Sequence, residues 1–158
     1  MQLALVETFQ FVATLSTALF AGAAIYITVA EHPARMALDT RAAAVQWAPS
    51  YKRATWMQAP LAIVGFLAGS GACLCDGGVV WLIAALFIGV VVPFTLIVIM
   101  PTNRQLLAAE RDLGSSATRQ LLARWGRLHT VRSIVSAVAT VLMLWGLLAA
   151  QAGRAGHG

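Results

Sequence analysis

Charged residues are scarce in this chain of 158 residues. Aspartate, glutamate, lysine and arginine together make up 11% of it, whereas apolar residues make up 59%. An average soluble domain carries a charge at about a quarter of its positions. A single soluble domain of this length could not bury so much apolar surface. The composition therefore excludes a soluble globular fold and indicates a lipid bilayer, in which each helical span needs about 20 mostly apolar residues.

Cysteine is almost absent as well. The two cysteines, Cys73 and Cys75, are separated by one residue, which excludes a disulfide framework and a four-cysteine zinc site. Acids are few, and the formal net charge of +5 comes from ten arginines and one lysine against six acids. Because the arginines lie between apolar segments rather than in a polar domain, lipid headgroups explain them better than a nucleic-acid partner does. We therefore expect contact with a lipid bilayer and none with nucleic acid.

Four apolar segments are long enough to cross a bilayer, and none has an acid or base at its centre. They cover approximately residues 3–30, 56–74, 79–100 and 131–150. We therefore predict an all-α fold, an integral membrane four-helix bundle in which residues 1–158 form a single transmembrane domain. Pro33 and the neighbouring charges are expected to end the first helix, and a tight turn at Asp76 is expected to join the second helix to the third.

The polar segments differ in charge, which predicts the topology. Residues 34–55 and 101–130 hold nearly all the basic residues, whereas the N-terminus and the turn at Asp76 hold none. By the positive-inside rule, both long loops are cytoplasmic and both termini lie outside, in a bacterial inner (plasma) membrane. The first loop is expected to be a partly helical segment lying on the membrane surface. The tail, residues 151–158, is expected to be disordered, with His157 incidental.

Small residues at helical spacing predict close helix packing. Gly65 and Gly69 form a Gly-x-x-x-Gly pattern, and Ser133, Ala137 and Thr140 share one face of the last span. Such faces can pack within the bundle or between copies of the chain. A homo-oligomer, or assembly with another membrane protein as a non-catalytic partner, is therefore one alternative for this chain.

The polar residues that can carry chemistry gather at the ends of the spans that adjoin the basic loops. On a helix that begins before the fourth span, Trp125, His129 and Arg132 stand at positions i, i+4 and i+7, on one face. A bundle brings its helix ends together, so these residues can line one pocket with residues from the other helices. The remaining candidates are His32, Arg53, Trp56, Asn103 and Arg104.

The segment Pro101-Thr102-Asn103-Arg104-Gln105-Leu106, followed by Trp125-x-x-x-His129-x-x-Arg132, resembles the anthrone-oxygenase-like family of small four-helix membrane proteins. His32-Pro33 after the first span fits the same pattern, and the resemblance extends over nearly the whole chain. It implies an oxygenase or oxidase of aromatic polyketide pathways, which inserts oxygen at the activated central carbon of an anthrone to give an anthraquinone. The residues carried over are His32, Asn103, Trp125, His129 and Arg132.

The resemblance implies roles for these residues. A histidine, His129 or His32, would serve as the base that removes the acidic C–H proton. Arg132 and Asn103 would stabilise the developing oxyanion. The substrate, a small lipophilic aromatic molecule, would enter sideways from the bilayer. Its binding residues would be Trp125, Trp56, Arg53 and Arg104, with the two indoles stacking on the flat rings.

No cofactor is favoured by the sequence, but an alternative stays open. His32 and His129 are two of only three histidines, and both adjoin the basic loops. They could hold a haem or a metal ion between helices. No H-E-x-x-H or comparable spacing supports a metal site. The rival to the oxygenase is therefore a haem- or metal-binding membrane redox protein that uses the same two histidines.

Overall fold

The computed structural model describes residues 2–155. The described part of the chain is helical and contains no β-strand. Its four long helical rods are each long and apolar enough to cross a membrane: Gln2–Met36, Thr40–Gly77, Val79–Leu106 and Ser116–Ala152. The predicted all-α fold with four such helices is confirmed. Where the bilayer begins along each rod stays a prediction.

The first rod is one helix with a wide turn inside it. It consists of α1, Gln2–Tyr26, a π-helical segment, Ile27–Glu31, and α2, His32–Met36. The prediction that Pro33 ends this helix is wrong. The N–H of His32 bonds to the carbonyl of Ile27, five residues back, so the ladder has already widened when the chain reaches the proline, which occupies the first turn of α2.

The second rod begins much earlier than expected. Helix α3 covers Thr40–Ala72, and the Asp39 carboxylate caps it by accepting a hydrogen bond of 3.0 Å from the N–H of Ala42. The predicted segment of residues 34–55 is partly helical, as expected, but from Thr40 onward it is the beginning of this continuous helix and not a segment separate from the second span. The predicted turn is confirmed, since Asp76 has φ 65° and Gly78 has φ 94°.

The second half repeats the plan of the first. Helix α4, Val79–Phe94, continues through a π-helical segment, Thr95–Ile99, into α5, Met100–Leu106. Helix α6 then covers Ser116–Ala155. Most of the predicted loop 101–130 is thus helical. Pro101, like Pro33, occupies the first turn after a π-helical segment and so does not end the helix, and α6 begins well before the predicted fourth span.

The chain end also differs from the prediction. The tail was expected to be disordered from residue 151, but α6 continues to Ala155. Residues 156–158, with His157, lie outside the described residues.

The helices form a ring around two buried clusters. Helices α1 and α4 lie diagonally across the bundle, and each packs against both α3 and α6. One cluster, around Phe20, Trp81 and Ile88, is apolar. The other lies around Trp47 and Trp125, toward the ends of the helices that adjoin the polar connections. It is there that the candidate polar residues converge.

The predicted small-residue faces are used inside the bundle. Gly65 and Gly69 are buried, and a Cβ at Gly65 would lie 2.6 Å from Thr17 Oγ1 of α1, whereas one at Gly69 would lie 3.0 Å from Ala85 of α4. Ser133 is buried against α1 as well. The small-residue faces therefore pack against helices of the same chain. A homo-oligomer stays a prediction, but these buried faces do not support it.

The two polar connections lie at the same end of the bundle. Arg119 of α6 donates hydrogen bonds to the carbonyl oxygens of Met36 and Leu38, and Arg41 lies 3.7 Å from Asp112. Gln2 donates to Asp76 at 3.1 Å, so the beginning of the chain lies at the opposite end, beside the turn. This arrangement is the one that the topology prediction requires. The side of the membrane that each end faces stays a prediction.

Candidate active site

Three of the predicted site residues meet through their rings. The indole of Trp125 lies 5.4 Å from the imidazole of His32 and 4.9 Å from that of His129, between ring centroids. A second indole, that of Trp47 on α3, meets Trp125 edge to face at 5.8 Å. The π-helical segment before α2 and the early start of α6 bring these rings to one depth in the bundle. We call Trp47, Trp125, His32 and His129 the aromatic cluster.

His32 is held on both sides by the protein. Its Nδ1 lies 3.5 Å from a guanidinium nitrogen of Arg35, which can only donate, so Nδ1 accepts. Its Nε2 packs directly against Gly126 of α6, where any Cβ would overlap the ring. Nδ1 is therefore hydrogen-bonded and Nε2 is covered by the backbone of α6, so His32 has a structural position.

Arg35 is the centre of a closed polar network. Its guanidinium is almost completely buried, donates hydrogen bonds to Glu31 and Gln46, and lies 3.3 Å from Ser50 Oγ. It also lies over the Trp125 ring, with Cζ 5.7 Å from the centroid. The Glu31 carboxylate neutralises it and accepts further hydrogen bonds from Ser50 and Gln46. Charge and hydrogen bonds are balanced here, as a buried arginine requires.

His129 is buried and has only one nitrogen engaged. Its residue is 2% exposed, and Nδ1 lies 3.2 Å from the hydroxyl of Thr28. That hydroxyl lies 2.7 Å from Ser133 Oγ, which donates to the carbonyl of Ala24 at 2.9 Å. Among the described residues, Nε2 has no hydrogen-bond partner. Nε2 of His129 is therefore available as a hydrogen-bond acceptor.

Arg132 is a cation without an anion. One guanidinium nitrogen donates to Gln58 Oε1 at 2.9 Å, and Cζ lies over the ring of Phe20, 5.3 Å from its centroid. Its Nε is buried without a hydrogen-bond partner, and neither ion pair formed by the described residues includes it. A buried guanidinium with unused donors favours an anionic or electron-rich oxygen as its ligand.

A cleft between α3 and α4 leads to this guanidinium. Its volume is about 120 Å³, and Arg132 and Phe20 line it together with mostly apolar residues of the two helices. Thr55, Ala59 and Leu96, which also line it, are exposed on the outside of the bundle. The cleft therefore opens sideways, toward the surface that lipid would cover.

An apolar groove continues the cleft along the outer surface. It has a volume of about 470 Å³ and shares Ala62 and Val92 with the cleft. Its lining is aliphatic apart from Phe66 and Pro93. Together the two spaces form a continuous apolar surface that ends at Arg132, and a flat lipophilic molecule with one polar oxygen matches this pattern of surfaces.

Asn103 is buried with an unused side chain. Both its amide nitrogen and its amide oxygen lack a hydrogen-bond partner among the described residues, and so does the hydroxyl of neighbouring Thr102. Asn103 lies one turn after Met100, which lines the cleft. Buried amides are almost always hydrogen-bonded, so this one is a candidate for contact with a ligand.

Three predicted binding residues are not part of this arrangement. Trp56 is 84% exposed, and Arg53 and Arg104 are exposed as well. Trp56 is nine residues after Trp47 on the same helix, which places it on the opposite face. Trp125 belongs to the arrangement but packs against the two imidazoles, so its faces are already in contact with protein.

Several residues of the site were missed by the sequence reasoning. Tyr51 stacks on Trp47 at 5.1 Å and lines the cleft with Phe20, while Thr28 and Ser133 hold His129. Tyr51 is four residues after Trp47, the same spacing that separates Trp125 from His129. That repeated spacing was a usable signal for Tyr51. No sequence pattern singles out Thr28.

In the part of the chain that the structure describes, the two histidines have too few neighbouring side chains of the kind that bind metal ions. No three histidine, cysteine, aspartate or glutamate side chains come together within residues 2–155 as metal ligands would. Cys73 and Cys75 are free and lie near the turn, at the other end of the bundle.

Comparison with known proteins adds a family to this geometry. The family model described as anthrone oxygenase matches residues 47–142, more than half of the chain. The anthrone oxygenase tpcL of Aspergillus fumigatus is 37% identical in an alignment of 87 residues that covers 52% of this chain and 53% of that protein. The match thus covers about half the length of this relative. No solved structure matches the chain.

Proposed function

The chain belongs to the anthrone oxygenase family, and on that premise we propose that it oxidises an electron-rich aromatic substrate of the anthrone type that is dissolved in the bilayer. The observation that carries the proposal is Arg132, a guanidinium with unused donors at the end of an apolar cleft. An anthrone that has lost its acidic proton is flat and lipophilic, and its negative charge lies largely on one oxygen. The cleft and Arg132 complement those properties.

The proposed reaction begins with proton removal by His129. In this proposal Arg132 holds the oxygen on which charge develops, and Nε2 of His129 accepts the proton from the activated CH₂ carbon. His129 lies one turn before Arg132 on α6 and does not itself line the cleft, so the reacting carbon must reach past the guanidinium. Asn103, whose amide is unused, would be a second donor to that oxygen. Tyr51 and Phe20 would flank the rings of the substrate in place of Trp56.

Dioxygen then reacts with the electron-rich carbanion. One oxygen atom becomes the new carbonyl oxygen, and the other leaves as water together with the two hydrogens that the carbon loses. The carbon loses four electrons and dioxygen gains four, so the reaction balances without a further reductant. The apolar surroundings of the cleft favour this step, because they keep bulk water from the carbanion.

The direct test is turnover by the purified protein in lipid vesicles. With an anthrone and ¹⁸O-labelled dioxygen, we expect an anthraquinone with one labelled oxygen atom and consumption of one dioxygen per product. Arg132→Gln should abolish most of this activity. Arg127→Gln is the matched control, because Arg127 is exposed on the same helix. Product formation by the vesicles that does not exceed spontaneous oxidation would overturn the proposal.

We propose further that the reaction needs no bound cofactor. The purified protein should be colourless and should retain activity in the presence of a chelator. The alternative, a redox protein with haem held by His32 and His129, predicts an absorption band near 400 nm that is lost in His129→Ala. Appearance of that band would replace the oxygenase mechanism by haem chemistry.

The location is also part of the proposal. The basic residues of the two polar connections, which share one end of the bundle, support a cytoplasmic position for that end. In a bacterial host the membrane would be the inner (plasma) membrane. Cysteines placed at Arg41 and Arg119 should be protected from an impermeant thiol reagent in intact cells, whereas one at Gly77 should react, in a background without Cys73 and Cys75. The reverse pattern would move the site to the outer face.

A further inference from the structure

We propose that Thr28 and Ser133 are positioning residues that set the tautomer of His129, keeping its proton on Nδ1 and leaving Nε2 as the acceptor. The catalytic consequence rests on the proposed function, in which Nε2 is the base. The tautomer itself follows from hydrogen bonds among named residues, and it can be measured without any substrate.

Hydrogen bonds link His129, Thr28, Ser133 and the carbonyl of Ala24 in that order, and the carbonyl fixes the direction of all of them. A backbone carbonyl can only accept, so Ser133 Oγ must donate its single proton to Ala24 O, 2.9 Å away. The other acceptor near Ser133 Oγ is the carbonyl of His129, at 3.4 Å, which also takes a proton and gives none. Either way, Ser133 has no proton left for Thr28.

The next two links follow from the first. Thr28 Oγ1 and Ser133 Oγ are 2.7 Å apart, so Thr28 must be the donor between them. Once its proton points to Ser133, the Thr28 hydroxyl can only accept from Nδ1 of His129, 3.2 Å away. Nδ1 must then carry the hydrogen. A neutral imidazole carries one N–H, so Nε2 holds the free lone pair.

Thr28 differs from six other threonines of this bundle. Its hydroxyl bonds to Ser133 of α6. The usual partner of a threonine hydroxyl in a helix is the carbonyl four residues earlier, which for Thr28 would be that of Ala24. Ser133 occupies that carbonyl instead. The threonines that donate to the carbonyl four residues back on their own helix are Thr8, Thr14, Thr55, Thr95, Thr130 and Thr140.

The π-helical segment and burial explain why this arrangement persists. Thr28 lies in the segment Ile27–Glu31, where the widened turn changes the direction of side chains relative to an α-helix. His129 and Ser133 are 2% and 5% exposed, so water does not compete for their polar atoms. Reversing the chain of donors would leave Ser133 Oγ 2.9 Å from the carbonyl oxygen of Ala24 with no hydrogen between the two acceptors, which is unfavourable.

The neighbouring histidine has the opposite arrangement. Nδ1 of His32 faces a guanidinium nitrogen of Arg35 at 3.5 Å and must accept, so the hydrogen of neutral His32 is on Nε2. The two imidazoles that meet at Trp125 therefore differ in tautomer. This difference provides an internal reference for the measurement.

The test is ¹⁵N nuclear magnetic resonance of histidine-labelled protein in lipid nanodiscs at a pH where the imidazoles are neutral. Protonated and unprotonated ring nitrogens have well-separated shifts, and the His129→Gln and His32→Gln variants assign the signals. We expect His129 with hydrogen on Nδ1 and His32 with hydrogen on Nε2. Thr28→Val, which keeps the side-chain shape but removes the hydroxyl, should mix the two tautomers of His129. Thr28→Ser should restore the original one.

Thr130→Val is the matched control, because its hydroxyl bonds only to its own helix one residue from His129. It should leave the His129 signals unchanged. Hydrogen on Nε2 of His129 in the unaltered protein would overturn the proposal, and so would a Thr28→Val variant whose His129 signals do not change. The first measurement decides even when Thr28→Val fails to fold.

Activity separates this inference from the proposed function. With His129 as the base, Thr28→Val should lower kcat by about 10–100-fold with little change in KM, as loss of an orienting partner does. Thr28→Ser should recover the activity. A tautomer that shifts in Thr28→Val without a loss of kcat would leave the hydrogen-bond chain established and refute the base assignment.

Discussion

The chain contains two His-x-x-Arg pairs, His32 with Arg35 and His129 with Arg132, and the structure gives them opposite surroundings. Arg35 has a carboxylate, an amide and a hydroxyl as partners, and His32 accepts from Arg35 through Nδ1 while Gly126 covers its Nε2. Arg132 has a single amide partner and no carboxylate. His129 has one nitrogen in use. The first pair is closed and the second is open.

The difference shows how to separate structural from functional polar residues in a membrane protein. Both pairs are costly to place among apolar helices, and the closed pair recovers that cost through contacts within the protein. The open pair does not, so its remaining donors and its lone pair are available to a ligand. Residue type alone does not distinguish the two pairs, whereas the number of hydrogen bonds that each arginine makes does.

The largest expected effect tests the two histidines against each other. His129→Gln should lower kcat by about 10²–10⁴-fold, the usual contribution of a general base. His32→Gln should cost less than about tenfold, because glutamine can still accept a hydrogen bond from Arg35. Turnover in vesicles measures both, with the thermal unfolding midpoint as a check on folding. Equal losses at the two positions would erase the distinction between open and closed pairs.

The second test concerns the open arginine. Arg132→Gln should lower kcat by about 10²–10³-fold, since it removes a donor to the developing oxyanion. Arg127→Gln, five residues earlier and exposed, should change kcat by less than about twofold, since only surface charge is lost. Similar losses for both variants would mean that this end of the helix needs positive charge and not a specific donor.

The third test concerns the closed arginine and is measured as stability. Arg35→Gln leaves Glu31 without its cation and should lower the free energy of unfolding by about 3 kcal/mol. This value is at the low end for a broken buried ion pair, because the Glu31 side chain is 20% exposed. The exposed pair of Arg41 with Asp112 is the control, and Arg41→Gln should cost less than about 1 kcal/mol. Chemical unfolding in a mild detergent compares them. A stable but inactive Arg35→Gln variant would assign Arg35 to the reaction.

The smallest effect comes from closing the open pair. Gln58→Glu places a carboxylate where Arg132 now donates to an amide oxygen, 2.9 Å away. Arg132 should then resemble Arg35, with its charge neutralised by the protein, and the substrate anion should compete poorly for it. We expect KM to rise about tenfold relative to the unaltered protein, equivalent to about 1.4 kcal/mol. Glutamine and glutamate have nearly the same shape, so the comparison isolates the charge. An unchanged KM would show that the cleft binds its ligand without Arg132.

Much of the fold was predictable because apolar segments of about 20 residues have few alternatives in a chain this short. The helix boundaries were not. Pro33 and Pro101 normally end helices, and nothing local to either proline reveals the π-helical segment that precedes it. The charges of residues 34–55 are typical of a segment that contacts lipid headgroups. In the structure, however, Arg35 belongs to a buried network and Arg41 pairs with Asp112.

The site was predictable where it lies on one helix. Trp125, His129 and Arg132 share a face by spacing alone. The structure brings Trp125 and His129 into ring contact, and it places Arg132 one turn further, against Gln58 and Phe20 of other helices. What the sequence could not show is which of two equivalent histidines is free. That depends on Thr28 of the first rod, whose role exists only because α1 packs against α6.

The π-helical segment before α2 makes the aromatic cluster depend on register. Such a segment holds one residue more than the α-helical ladder would accommodate, and each residue of an α-helix turns the chain by about 100°. If the same residues formed an uninterrupted α-helix from α1 into α2, His32 and Arg35 would rotate by about 100° toward the outside of the bundle. The ion pair of Glu31 with Arg35 would then lie on a face that meets lipid instead of Trp125. The widened turn absorbs the extra residue, and it thus decides whether the same amino acids form a buried cluster or a row of charges in hydrocarbon.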